Sequence, residues 1–268
     1  MNKKLIFFDI DGTLLDGETR TVPQSTVKAI REARENGHLT FINSGRTIIN
    51  IGKIFRDIGF DGYVCGCGTQ IWLHGENLHH VSISLEKCRE IVDKLREFRI
   101  VAFFESEEAV SFDMDSEVDK NWLASEVPKF QKDGCNVEFF ANPIEKTVKA
   151  FDKFYCVLKE GSKRQEFLEY IEKDFTWIPH GENHIEVIPK GCSKATGISF
   201  LCDYFHTSFE NCYAIGDSEN DIEMLQAVKY GIAMGECSPK ILPFCSFQTK
   251  KVREDGIYHA LKHYDLIS

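Results

Sequence analysis

Hydrophobic and polar positions change period along the first eighty residues. Leu5-Ile6-Phe7-Phe8 is an unbroken apolar run ending in acids, the pattern of a parallel strand buried on both faces. From Pro23 to Asn36 the apolar positions Val27, Ile30 and Ala33 recur at helical spacing, with proline early and Gly37 past the end, which predicts a helix. Leu39 to Ile42 predicts a second strand. Ile48, Ile51, Ile54, Phe55 and Ile58 predict a helix over 47–58, and Tyr63-Val64-Cys65 a third strand. Strand, helix, strand, helix, strand at this spacing opens a parallel sheet with crossover helices. The pattern returns near the end, with a helix over 193–205, a strand over 211–215, a helix over 221–228, a strand over 230–234 and a closing helix over 255–264.

The middle differs. A helix over 85–98 precedes Val101 to Phe104 and Ala109 to Phe112, which read as strands paired by a turn. Helical and strand stretches continue through Phe167 to Asp174 and His184 to Ile188. From Ser82 to Val187 the chain carries 15 bases against 23 acids, and the flanks carry 17 against 19, so most of the excess acidity lies in the middle. The expected architecture is α/β: a Rossmann-like core with a parallel sheet from residues 1–81 and 188–268, and an inserted α+β domain over 82–187.

Composition narrows the class. With 43% hydrophobic and 28% charged residues the chain is neither disordered, collagen-like nor a membrane bundle. No apolar run approaches the roughly 18 residues that span a bilayer. Asp9 and Asp11 interrupt the first apolar run, which argues against a signal peptide, and the expected location is cytoplasmic. A net charge of −10 repels nucleic acid and anionic membrane, so neither is expected as a partner. A small anionic substrate held by a metal and a lysine remains compatible. None of the ten cysteines forms Cys-x-x-Cys, and they are expected as reduced small hydrophobes rather than zinc ligands or disulfides.

Four stretches carry chemistry. Asp9-Ile10-Asp11-Gly12-Thr13 follows an apolar strand, where residues of open α/β sheets enter the ligand crevice. One carboxylate there can attack phosphorus while the next exchanges protons with the leaving oxygen and water. The same stretch alone also reads as an acidic turn. Gly216-Asp217-Ser218-Glu219-Asn220-Asp221 again follows a strand, and several convergent carboxylates call for a cation such as Mg²⁺. It also reads as a helix-capping turn. Asn43-Ser44-Gly45-Arg46 lies between a strand and a helix, where a hydroxyl and backbone amides can hold phosphate oxygens or simply cap the helix. Lys194 opens a helix against the dipole preference, which facing carboxylates and phosphate would offset.

Together, in this order, the four resemble the motifs of the haloacid dehalogenase-like (HAD) phosphohydrolases: Asp9-x-Asp11-Gly12-Thr13, Ser44, Lys194, and Gly216-Asp217-x-x-Asn220-Asp221. Ser44-Gly45-Arg46, the large insert and Gly256-Ile257 resemble the Cof-type branch, whose α/β cap lies between the second and third motifs. The resemblance implies Asp9 as nucleophile and Asp11 as general acid, then base. It implies Mg²⁺ held by Asp9, the main-chain carbonyl of Asp11, and Asp217, with Asp221 in support. Ser44, Lys194 and Asn220 would hold the phosphoryl group, and Gly45 and Arg46 are further candidate substrate-binding residues. The second aspartate at position 11 is similar to phosphatases and phosphomutases and unlike dehalogenases. One departure stands out: Cys67-Gly68 replaces the Asn-Gly frequent in the family, and Cys67 is expected as a buried thiol.

The implied activity is Mg²⁺-dependent hydrolysis of a small phosphorylated metabolite, a sugar phosphate or nucleotide-like cofactor, by a monomer or small homo-oligomer. A hexose phosphomutase of the same fold and a non-catalytic phosphate sensor are the alternatives. Substrate choice is expected from the 82–187 insert, with its acids mainly on outer helix faces. Asn183 and His184 are its candidate substrate contacts. His79-His80 lacks ligand-like spacing and is expected at the surface.

Overall fold

The structure, a computed structural model, describes residues 3–116 and 120–268. The chain opens with β1 (Leu5–Phe8), α1 (Gln24–Glu35), β2 (Leu39–Asn43), α2 (Lys53–Arg56), β3 (Gly62–Cys65), β4 (Gln70–Leu73) and β5 (Glu76–His80). There follow α3 (Leu85–Glu97), β6 (Val101–Glu105), β7 (Val110–Asp113), α4 (Lys120–Lys132), β8 (Val137–Phe140), α5 (Ile144–Thr147), β9 (Lys153–Val157), α6 (Arg164–Ile171), β10 (Phe175–Pro179) and β11 (His184–Pro189). It closes with α7 (Lys194–Tyr204), β12 (Cys212–Gly216), α8 (Ile222–Ala227), β13 (Tyr230–Ala233), β14 (Phe247–Gln248) and α9 (Gly256–His263). Two compact units result. The first takes the residues up to Gly45, Ile54–His79 and Ser193–Ser268; the second takes Arg46–Lys53 and His80–Cys192.

The first unit is built on a sheet ordered β14-β13-β12-β1-β2-β3-β4-β5. From β14 to β3 neighbouring strands run parallel, and β4 returns antiparallel to β3. Leu5 and Phe7 cluster with Phe41 and with Ile198, Leu201, Met224 and Leu225 of α7 and α8. Strand alternation puts Ile6 and Phe8 on the other face, where both are also fully buried. Two buried faces explain why β1 reads as a continuous apolar run. Each such side chain contributes roughly 1.5–3 kcal/mol on burial.

The second unit is α+β. Its sheet, ordered β10-β11-β9-β6-β7-β8, is antiparallel except for the β7–β8 pair. One face, with Phe104, Phe154, Cys156, Ile185 and Val187, packs against Ile91 and Leu95 of α3 and Phe167 and Ile171 of α6. On the other, Phe103, Val110 and Phe112 pack beneath Trp122, Leu123 and Phe130 of α4. The acids of α3 and α6 lie on exposed positions, as expected. Glu105 and Glu186 depart from that rule: both are buried within the sheet.

Most helices and strands match their sequence-based ranges to within a few residues. The helix expected over 47–58 does not form as one piece. A 3-10 turn covers Ile48–Asn50, Ile51 is extended (φ −80°, ψ 93°), and α2 is a single turn. The Thr47 hydroxyl donates to Glu105 Oε2 at 3.2 Å and the Asn50 amide donates to the same oxygen. These polar bonds tie residues 46–53 into the second unit, and apolar periodicity does not register them. None of the ten cysteines forms a disulfide, and eight of them are buried. His80 is exposed, as expected, and its Nε2 lies 2.9 Å from the buried Asp152 carboxylate. Among the described residues no helix is long and apolar enough to cross a membrane.

Candidate active site

Parallel register determines where the site lies. Phe8 stands level with Ile215 and with Ile42, so Asp9, Asp217 and Ser44 all follow the carboxyl ends of adjacent strands. The Asp9 amide continues the ladder, donating to the Ile215 carbonyl at 3.0 Å. The chain leaves β1 toward β2 on one side while β12 flanks it on the other, and ligands of open α/β sheets bind at such a reversal.

Lys194 ties the acids together. It is the first residue of α7, and a capping box between Ser193 and Thr196 satisfies the amides that begin that helix. Its side chain is buried, and Nζ donates to Asp9 Oδ1 at 2.6 Å and to Asp221 Oδ1 at 2.5 Å. The Asn43 amide, at the end of β2, donates to the Lys194 carbonyl at 3.0 Å and anchors the helix start. Asp217 accepts from the Thr13 hydroxyl at 3.0 Å. Asp221 Oδ2 accepts from the amides of Asp217 and Ser218, so it caps its own turn while its other oxygen meets Lys194. Thus both readings of this turn apply to the same residue.

Two glycines make this convergence possible. Gly12 has φ +87°, and a Cβ there would lie 2.4 Å from Asp217 Oδ2. A Cβ on Gly216 would lie 2.6 Å from the Asp221 carboxyl carbon. Neither position admits a side chain without displacing a carboxylate.

Charge is unbalanced here. Asp9, Asp217 and Asp221 each offer an oxygen within 4.8 Å of the others, against one lysine. Burial pushes the Asp9 carboxyl well up, and Asp221 and Asp217 push it further, against the pull of Lys194. Burial and then Asp221 raise Asp217 to about 7. Lys194 is held charged: the two carboxylates outweigh its burial and raise it above its ordinary value. An all-oxygen set with excess negative charge fits a hard divalent cation such as Mg²⁺.

The other expected residues fall as follows. Asp11 is half-exposed and pairs with Arg20 at 3.2 Å. Ser44 is buried, its amide bonded to the Val64 carbonyl and its carbonyl to the Cys67 amide. Gly45 is the last residue before the chain enters the second unit. Asn220 is half-buried and accepts from Ser218 Oγ at 2.7 Å. Arg46 belongs to the second unit, where it donates to the Asn50 carbonyl and pairs with Asp133 at 3.4 Å. Asn183 is exposed on the β10–β11 turn, and the half-buried His184 ring lies 5.9 Å from that of Tyr155. Cys67 is buried, as expected, with φ 53°, a left-handed conformation that asparagine adopts more readily than cysteine.

Thr13 and Asn43 stand inside the motif stretches with no separate role predicted from sequence. Asn43 ends β2 directly before Ser44, and Thr13 closes the Asp9–Thr13 stretch, and those placements are the available signal.

A parallel α/β sheet with a lysine-bridged carboxylate cluster at its carboxyl edge defines a phosphoric monoester hydrolase. The chain belongs to the haloacid dehalogenase-like hydrolases, whose family model matches residues 6–261. It is 27% identical to the 5-amino-6-(5-phospho-D-ribitylamino)uracil phosphatase YcsE of Bacillus subtilis (strain 168), over 98% of this chain and 96% of that one. It is 25% identical to the pyridoxal phosphate phosphatase YbhA of Escherichia coli (strain K12), over 90% and 91%. The solved structure of the HAD subclass IIB sugar phosphatase BT4131 superposes with a TM-score of 0.83 at 25% identity, covering 99% of this chain and all of that one.

Proposed function

We propose that this chain is a Mg²⁺-dependent cytoplasmic phosphatase of small phosphorylated metabolites, acting through an aspartyl-phosphate on Asp9. The bridging of Asp9 and Asp221 by Lys194 beside Asp217 carries this reading. An Asp9 oxygen attacks phosphorus, the bond to the leaving oxygen breaks, and Asp11 gives that oxygen its proton. Water then attacks the phosphoryl group, Asp11 takes the proton, and the Asp9–phosphorus bond breaks to release phosphate. Lys194 balances charge on the Asp9 side, while Ser44 and Asn220 hold phosphoryl oxygens. Asp11 must leave Arg20 to act, and so exposed a pair is worth at most about 1 kcal/mol. Asp9, Asp217, Asp221 and the Asp11 carbonyl would hold Mg²⁺, which when bound neutralises charge on the transferring group.

The metal assignment has a pH signature. Asp217 titrates near 7 in the folded chain against 3.8 as a free carboxyl. Without metal the folded state therefore holds the extra proton between those values, and its contribution to stability is lost as pH rises through 7. Mg²⁺ takes the deprotonated cluster. The rise in Tm on adding MgCl₂ should be larger at about pH 8 than at about pH 5.5. Equal shifts would place the cation elsewhere.

Residues 82–187 are proposed as the cap that selects the ester, a sugar phosphate or a cofactor-type phosphate like those named for the relatives. Phosphate release across a metabolite panel tests the activity and ranks substrates. Asn183→Ala or His184→Ala is expected to reorder that ranking more than it alters turnover of a small aryl phosphate. A uniform change across all substrates would remove this turn from the selecting surface.

A further inference from the structure

Helix α7 lies on the sheet of the first unit through Ile198, Leu201 and Cys202, apolar positions at helical spacing that join the cluster of Leu5 and Phe7. Strand alternation turns Cys212 and Ala214 of β12 into the same cluster. Two cysteines therefore converge from different elements. Their sulfurs lie 3.4 Å apart, with Cys202 3% exposed and Cys212 fully buried. Core packing accounts for two small side chains here, but not for two thiols in contact.

The contact has a direction. Cys212 Sγ has two acceptors in reach, Cys202 Sγ and the Ser208 carbonyl at 3.6 Å. Its bond to Cys202, and then burial, push the Cys212 thiol up, while the same bond lowers Cys202 against the effect of burial. Cys202 is thus the more easily ionised sulfur, and it is also the less deeply buried. It stands two residues before the end of α7, and the connection to β12 exposes Asp203, Tyr204, His206 and residues 208–210. Helix ends open locally at low free energy, which admits a small oxidant to a sulfur placed there.

The pair is remote from the carboxylates. Cys212 is level with Leu5, so it lies at the amino edge of the sheet. Asp217 lies about 16 Å further along the chain leaving β12, and Lys194 lies about 12 Å back along α7.

We propose that Cys202 and Cys212 are a reversible thiol-oxidation site, and that a small hydroperoxide converts them to a disulfide that clamps α7 to β12. The Cys202 thiolate attacks one peroxide oxygen. An S–O bond forms, the O–O bond breaks, and the departing hydroxide takes the proton that Cys202 gave up and becomes water. The Cys212 sulfur then attacks the Cys202 sulfur. The S–S bond forms, the S–O bond breaks, and the oxygen leaves with the Cys212 proton as a second water. Two thiols are oxidised and one peroxide is reduced. A dithiol reverses the change by exchange, the transient kind of disulfide that reducing compartments allow. The bond would close a loop between residues ten apart in the chain, which restricts the unfolded state and stabilises the fold.

The test treats the full folded chain with hydrogen peroxide, alkylates it in denaturant and maps its peptides by mass spectrometry. The oxidised chain should carry Cys202 joined to Cys212, with the loss of two hydrogen atoms, and dithiothreitol should return both thiols. Its Tm should rise by about 3–6 °C. Cys212→Ser should trap the first step, leaving Cys202 as a sulfenic acid that dimedone labels, whereas Cys202→Ser should leave Cys212 unlabelled. The wild-type map needs no substitution, so it decides the matter even where a buried serine unfolds the chain. Both residues alkylated as thiols after peroxide, a bond from either to another cysteine, or a pairing that forms only in urea would overturn the site. An oxidised chain that melts no higher than the reduced one would overturn the clamp, and dimedone on Cys212 rather than Cys202 would overturn the order of attack. None of these readouts uses turnover, so they are independent of the phosphatase reading.

Discussion

Asp9→Asn is expected to lower kcat by several orders of magnitude while the fold persists. The substitution keeps size and shape but removes the oxygen proposed to attack phosphorus. Its effect on stability should be small. Asp9 is buried, and its ionisation is opposed by burial and by two neighbouring carboxylates, so a neutral amide is readily accommodated. Lys194 keeps Asp221 as its partner at 2.5 Å. Steady-state phosphate release and a thermal melt check both parts, and a quench-flow experiment with a ³²P-labelled ester tests for label on the protein. A variant that keeps a tenth or more of the wild-type rate would overturn Asp9 as nucleophile.

Removal of divalent metal should have an effect of similar size. Three acids share the cluster with one lysine, and two of them are pushed above the ordinary carboxylate range. Without a cation the cluster takes up protons or repels itself, and Asp9 is a poor nucleophile in its protonated form. Exhaustive chelation should abolish activity, and Mg²⁺ should restore it. Ca²⁺ should inhibit, because it is larger and tolerates irregular coordination that does not hold the phosphoryl group in line. Full activity in excess chelator, after tightly held metal is removed, would contradict the assignment.

Local signals were reliable where one element satisfies itself. The apolar run of β1 and the proline-to-glycine punctuation of α1 state their own structure, because the period of burial is written in consecutive residues. The motif residues were legible for a related reason. A carboxylate at a strand end or a lysine at a helix start also has ordinary structural uses, and it is the four stretches in this order that restrict the role. The helix expected over 47–58 shows where this stops. Its apolar spacing is helical, yet Thr47 and Asn50 bond to Glu105, more than fifty residues away, and the helix gives way to a turn and an extended residue.

The sequence by itself determined the α/β class, the change of pattern in the middle of the chain and the identity of the acids, lysine and serine proposed for the site. Tertiary structure alone decided which of them meet. Lys194 lies 185 residues from Asp9 and 27 from Asp221, and only strand order and parallel register bring all three within bonding distance. The same holds for Glu105, Lys153 and Glu186, charges on three strands that each look out of place in an apolar run until the sheet aligns them. A sequence pattern records how one residue is buried relative to its neighbours in the chain. The free energy of a charge depends on the opposite charge beside it in space, and that partner is supplied by topology.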